Sequence, residues 1–163
     1  MVTPKTLIRS GVKWLVFRSC PGKRDVIPTM KIETELEVEF IERYVVPHKR
    51  DRLLGFASDP SKRNKMIQAF NAPGIFDKKY VTEIGGPSRC AGLLPDVYKE
   101  HGMGGRVYMI SEDSNWDAQR FQMSYAVDEC LAQCFDAIGY CWKSKLAFYE
   151  WHHSGASYLL NKK

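Results

Sequence analysis

Between Ser124 and Ile138 the apolar residues fall at Val127, Cys130, Leu131, Cys134, Phe135 and Ile138. Spacings of three and four place all six on one side of a helix, and that side must be buried against something. Ser124 is placed to cap this helix, and Asp128 and Glu129 put negative charge near its N-terminal end. Gly139 is placed to end it, because glycine accepts the left-handed backbone common at helix C-termini. The stretch Tyr140–Trp151 follows at once and reads as strand, with a hairpin turn at Lys143-Ser144-Lys145. A last strand is expected over Ala156–Leu160, after a turn at Ser154-Gly155.

The N-terminal half is written in helical grammar. Thr34-Glu35-Leu36-Glu37 has the pattern of a capping box, opening a helix that carries Leu36, Phe40, Ile41, Tyr44 and Val45 and stops before Pro47. A second helix, about His48 to Ala57, buries Leu53, Leu54 and Phe56. Asp59-Pro60 then supplies a cap and a first-turn proline for a third, which runs to Phe70 and buries Met66, Ile67 and Phe70. Residues 71–89 are loop with a brief extended piece at Tyr80–Ile84, and Cys90–His101 holds a short helix with Pro95 confined to its first turn. A strand is expected at Arg106–Ile110, and Ser111–Asp117 as a polar loop. The resulting fold class is α+β. About three short N-terminal helices are joined to a small, mostly antiparallel sheet of about four strands, covered by the helix 124–138.

Length suits one such domain: 163 residues, 44% hydrophobic, are enough to close a core. No apolar run approaches the roughly 18–20 residues that span a bilayer. The net charge of +5 suggests nucleic acid until it is located. Residues 1–29 hold six basic groups and one acid, whereas residues 30–163 hold 18 of each and are neutral. The chain therefore divides into a basic N-terminal extension, 1–29, and a single α+β domain, 30–163. The extension is expected to be a disordered arm, or an over-extended start with translation beginning at Met30. Two other readings stay open. Lys5, Arg9 and Lys13 line one helical face, as in a transit or membrane-surface segment, and Val12, Trp14 and Val16 alternate as in an added edge strand. Five cysteines without the even spacing of a disulfide scaffold indicate a reducing compartment, so the protein is expected to be cytoplasmic.

Cys130, Cys134 and Cys141, with His152 or His153, could be read as a zinc site, but two of these cysteines fall on the apolar stripe, where cysteine packs as a small hydrophobe. No metal and no cofactor is expected. A nucleophile pair of Cys90 or Cys141 with a histidine needs an adjacency that sequence does not give. Glu112, Asp113 and Asp117 form an acidic loop, and Lys49, Arg50, Arg52, Lys62, Arg63 and Lys65 a basic cluster in the helical layer. This segregation of charge suits steered association with a protein. Trp142, Phe148, Tyr149, Trp151 and Tyr158 crowd the C-terminal strands, and a sheet covered on one side only would leave some of them on a bare face. The reading is a small protein-binding protein without its own catalysis, an accessory or immunity-type inhibitor. Its expected contacts are Glu112, Asp113, Trp116, Asp117, Trp142 and Trp151. The alternatives are a nucleic-acid-associated protein using the basic cluster, and a small hydrolase with a Cys/His site.

Overall fold

A computed structural model describes residues 32–85, 92–151 and 155–162. Among them the chain forms α1 (Thr34–Tyr44), α2 (Pro47–Ala57), α3 (Arg63–Phe70), β1 (Val81–Ile84), α4 (Leu94–Glu100), β2 (Arg106–Ser111), β3 (Arg120–Gln122), α5 (Met123–Gln133), β4 (Ala137–Cys141), β5 (Leu146–Trp151) and β6 (Ala156–Asn161). The fold is α+β. The N-terminal extension 1–29 lies outside the described residues, as do Cys20, Cys90, His152 and His153.

All six strands are antiparallel to their neighbours, in the order β1-β6-β5-β4-β2-β3, so β1 and β3 are the edges. Alternation along the strands sorts the core into two halves. Tyr108, Ile110, Ile138, Tyr140, Ala147 and Tyr149 pack with Phe40, Ile41, Tyr44, Met66 and Phe70 of α1 and α3. Val107, Met109, Cys141, Phe148 and Leu159 pack with Tyr98 of α4 and Val127 and Cys130 of α5. Both faces of the sheet are therefore covered, and every residue of β4 is buried. The sheet has two strands beyond the about four expected: the short edge β1, which falls on the extended piece read at Tyr80–Ile84, and the three-residue edge β3, too short for periodicity to reveal.

The helix expected over 124–138 ends early. Cys134 takes the left-handed conformation at φ 56°, and its amide bonds the Cys130 carbonyl at 3.0 Å. Phe135 and Ile138 are buried as predicted, but Ile138 sits in a strand, and Cys134 is exposed. The backbone of 137–140 pairs on both sides, with β2 and with β5, and that double pairing outcompetes continuation of the helix to Ile138. Ser124 does not cap α5, whose N-cap is Gln122 without a side-chain bond. Gly139 ends no helix. It lies opposite Phe148, whose ring fills the space a side chain would need: a Cβ there would stand 2.1 Å from Phe148 Cε1.

Two other local signals, at Asp59-Pro60 and at Pro95, are realised. Asp59 Oδ1 accepts from the Ser61 amide at 3.0 Å, starting the short 3-10 turn Pro60–Lys62 that leads into α3. Pro95 occupies the first turn of α4. No helix among the described residues is long and apolar enough to cross a membrane.

The Gly139 contact makes a direct prediction. Gly139→Ala should destabilise the fold by about 1–3 kcal/mol through overpacking against the ring. Gly139→Ala combined with Phe148→Leu should recover part of that loss, both read as shifts in the urea midpoint. Equal stability of the wild-type protein and Gly139→Ala would contradict the packing described.

Candidate functional site

Two charges expected at the surface meet in the interior. Arg63 and Asp117 are 8% and 4% exposed. The Arg63 Nη2 donates to Asp117 Oδ1 at 2.8 Å, its Nε donates to Asp117 Oδ2, and its Nη1 donates to Glu37 Oε1 at 2.7 Å. Tyr108 Oη donates to the same Glu37 oxygen at 2.7 Å, and the Ser111 amide donates to Asp117 Oδ1 at 3.0 Å. Glu37 belongs to α1, Arg63 to α3, Tyr108 to β2 and Asp117 to the β2–β3 loop, so the guanidinium joins α3 to α1 and the loop, and Glu37 carries the network on to β2. The capping box read at Thr34 and Glu37 is not formed: the N-cap is Glu33, without a side-chain bond, and Glu37 turns inward. Charge-assisted bonds in the interior outweigh an exposed cap bond.

One arginine serves two carboxylates here, and all three groups are buried. Burial alone would lower the Arg63 pKa, but Asp117 and Glu37 outweigh it and hold the guanidinium above its ordinary value. Burial raises the Glu37 carboxyl above the usual carboxylate range, and the Arg63 charge and the Tyr108 hydroxyl offset only part of this. Glu37 Oε2 has no hydrogen-bond partner among the described residues.

A further buried carboxylate stands on the opposite face of the sheet. Glu150 Oε1 accepts from Tyr98 Oη at 3.0 Å and its Oε2 from Ser157 Oγ at 2.6 Å, tying α4 to β5 and β6.

The other residues singled out from sequence are dispersed. Trp116 is buried in an aromatic cluster, 4.4 Å from Phe121 and 5.5 Å from Phe135 between ring centres. Glu112 is exposed, and Asp113 is half-buried, its Oδ1 accepting from the Asn115 amide at 2.8 Å in a turn that shapes the loop. Trp142 carries the Arg120 guanidinium 4.4 Å above its ring. Within the basic cluster Arg52 and Lys65 are exposed. Arg50 Nε donates to the Val45 carbonyl at 2.8 Å, Lys49 Nζ to the Gly74 carbonyl at 3.2 Å, and Lys62 pairs with Asp59 at 2.9 Å. Burial raises the Cys130 thiol well above its ordinary value, and Cys141 Sγ donates to the Gly104 carbonyl at 3.1 Å, so both behave as structural thiols. No group of three or more potential metal ligands occurs among the described residues.

Trp151 leads to a different place. A groove of about 440 Å³ opens between the α3–β1 loop and strands β1, β5 and β6. Its loop wall is fixed to the end of α1: the Val46 amide bonds the Ile75 carbonyl at 3.0 Å, and the Asp77 amide bonds the Tyr44 carbonyl at 2.9 Å. Phe76 meets Tyr149 edge-on at 5.3 Å. Tyr149 then stands near-parallel to Trp151 (6.4 Å, 17°) and to Tyr158, directly across the strand pair (5.9 Å, 23°). Tyr149 is buried at the base, whereas Trp151 and Tyr158 are half-buried and line the open part. Lys78 and Glu83 are exposed at the rim, and neither has an ion pair among the described residues. Comparison with protein-family models, with curated proteins and with solved structures finds no match for this chain.

Sequence reasoning placed Tyr149, Trp151 and Tyr158 among crowded strand aromatics but missed Phe70 and Phe76 as the facing wall. The signal was Ile75-Phe76, an apolar pair inside a stretch otherwise marked as loop by Pro73 and Gly74. It missed Glu37 as a core charge for the same kind of reason: the residue was given a local role.

The raised Glu37 carboxyl fixes the sign of a pH effect. A carboxyl whose folded pKa lies above its unfolded one binds more protons when folded. Its contribution to stability is therefore fully present below the unfolded value and is lost as pH rises through the folded value. Relative to wild type, Glu37→Gln should gain stability as pH rises from about 4 to 7, as measured by urea denaturation across that range. A relative loss over the same range would mean that Glu37 titrates below its ordinary value.

Proposed function

We propose that the protein works by binding a protein partner, without chemistry of its own, as a small accessory or immunity-type inhibitor. The aromatic groove is its contact surface. The observation that carries this reading is the set of near-parallel rings Tyr149, Trp151 and Tyr158, with two of the three half-buried and lining an open groove. Tryptophan and tyrosine in a pre-formed apolar hollow are the residues that dominate protein–protein affinity, because they bury large area with little side-chain entropy to lose. Lys78 and Glu83 at the rim supply charges of both signs for orientation.

This moves the surface away from the acidic loop. Glu112 and Asp113 remain on that loop, but Asp117 and Trp116 are committed to the interior. The nucleic-acid reading loses Arg63 in the same way, and Lys49, Arg50 and Lys62 are tied to their own chain. Among the six contacts expected from sequence, Trp151 is the one this groove contains.

The test is capture from source-cell lysate on the immobilised full chain, after nuclease treatment and at high salt, read by mass spectrometry. A protein should be retained, and Trp151→Ala with Tyr158→Ala should weaken its binding at least about tenfold while the circular dichroism spectrum is preserved. Retention undiminished in the double variant would contradict the groove as the contact. Loss of all bound material on nuclease treatment would favour the basic helices and nucleic acid.

A further inference from the structure

Strand β1 forms one edge of the sheet. It pairs with β6, and among the described residues nothing pairs its outer side, so backbone donors and acceptors are presented there. Val81 and Glu83 point to the face that carries the aromatic groove and line it. Thr82, between them, points to the other face, where a second hollow of about 390 Å³ is lined by Lys79, Tyr80, Thr82 and Asn161. The two sides of the edge differ in charge. On the groove side Glu83 is exposed and has no ion pair among the described residues, and Lys78 lies outside the strand, in the 3-10 turn before it. On the other side two ammonium groups flank the Tyr80 ring, Lys79 at 4.7 Å and Lys162 at 5.3 Å from its centre. Of these two, Lys79 alone has a carboxylate partner among the described residues, Asp77 at 3.0 Å.

We propose that the groove takes its protein partner as an extended segment added to the open edge of β1, apolar opposite Val81, basic opposite Glu83 and acidic beside Thr82. Side chains of an added strand alternate between faces, so the first two enter the aromatic groove and the third reaches the ammonium groups. Backbone bonds to the edge supply affinity, and the alternating side chains select the sequence. A second copy of this chain fits the edge poorly. Paired with itself about a two-fold axis, β1 sets Glu83 opposite Val81 or another Glu83, because Lys79 lies in the 3-10 turn Lys78–Tyr80 and off the strand. The inference rests on the protein-binding reading above and specifies the form in which the partner is held.

A phage-displayed library of random short peptides, selected on the immobilised full chain, is the probe. Enriched peptides should carry an apolar, an acidic and a basic residue in consecutive positions, in either direction, and should protect the β1 amides from hydrogen exchange. Only every second amide of a strand faces the edge it joins. N-methylation of one alternate set of peptide amides should therefore weaken binding at least about tenfold, and methylation of the other set should change it less than about twofold. Glu83→Lys should weaken binding about fivefold or more, and changing the peptide's basic residue to Glu should restore it. No enrichment, a selected motif with helical spacing, β1 left unprotected, equal loss from both methylated sets, or indifference to Glu83→Lys would overturn the proposal. So would β1 protection in the free protein that grows with its concentration, which assigns the edge to a second copy. Each of these leaves capture through Trp151 and Tyr158 standing, and a capture experiment that fails leaves the peptide result standing.

Discussion

The fold turns on one guanidinium. Arg63 bonds both oxygens of Asp117 and one of Glu37, with all three side chains almost fully withdrawn from solvent. Taking these charges out of water costs several kcal/mol each, and only good geometry with further hydrogen bonds offsets that cost. The further bonds are present, from Tyr108 and from the Ser111 amide. Replacing such a set with apolar residues of similar volume is often neutral, so its worth lies as much in specificity as in stability. Hydrophobic contact between α1, α3 and β2 has many near-equivalent registers. A fork that must meet a carboxylate from α1 and another from the β2–β3 loop has one. The helical layer is thereby held over the sheet in a single position, and the Glu150 cluster with Tyr98 and Ser157 joins the opposite layer in the same way.

From that fixed position the groove follows. The first layer covers the sheet through Phe40, Tyr44, Met66 and Phe70, and the chain then leaves α3 to run as a loop to β1. Phe76 is held against Tyr149 by backbone bonds to the end of α1, and beyond it Trp151 and Tyr158 lie only half covered. On the other face, Gly139 lets the Phe148 ring lie flat against the neighbouring strand, so β4 and β5 can be buried from both sides.

Much of this was legible in the sequence, and what was missed shares a cause. Element identity followed from periodicity for α1, α2, β2, β5 and β6. The two decisive charges were legible too, had their spacing been weighed above their chemistry. Glu37 stands at i to Phe40, Ile41 and Tyr44 at i+3, i+4 and i+7, and Arg63 stands at i to Met66, Ile67 and Phe70 at the same spacings. Both occupy the apolar stripe and must face the core. Local rules gave them local roles, a capping box for Glu37 and a solvated cationic face for Arg63, because nothing in a sequence pairs residues 26 or 54 positions apart. Gly139 was misplaced for the same reason: its constraint comes from Phe148 across the strand pair and not from the helix before it. The groove was half legible, its strand wall from aromatic alternation and its loop wall only once the chain is folded.

A double-mutant cycle on Arg63→Met and Asp117→Asn, read by urea denaturation, tests whether this fork organises the fold. Each single change strands a buried charge or leaves polar groups unpaired, and should cost about 3–5 kcal/mol. The double variant removes both ends of the interaction and should cost less than the sum by about 1–3 kcal/mol. Two costs that add to within about 0.5 kcal/mol would show that the pair is not coupled, and the layers would then be held by apolar packing alone.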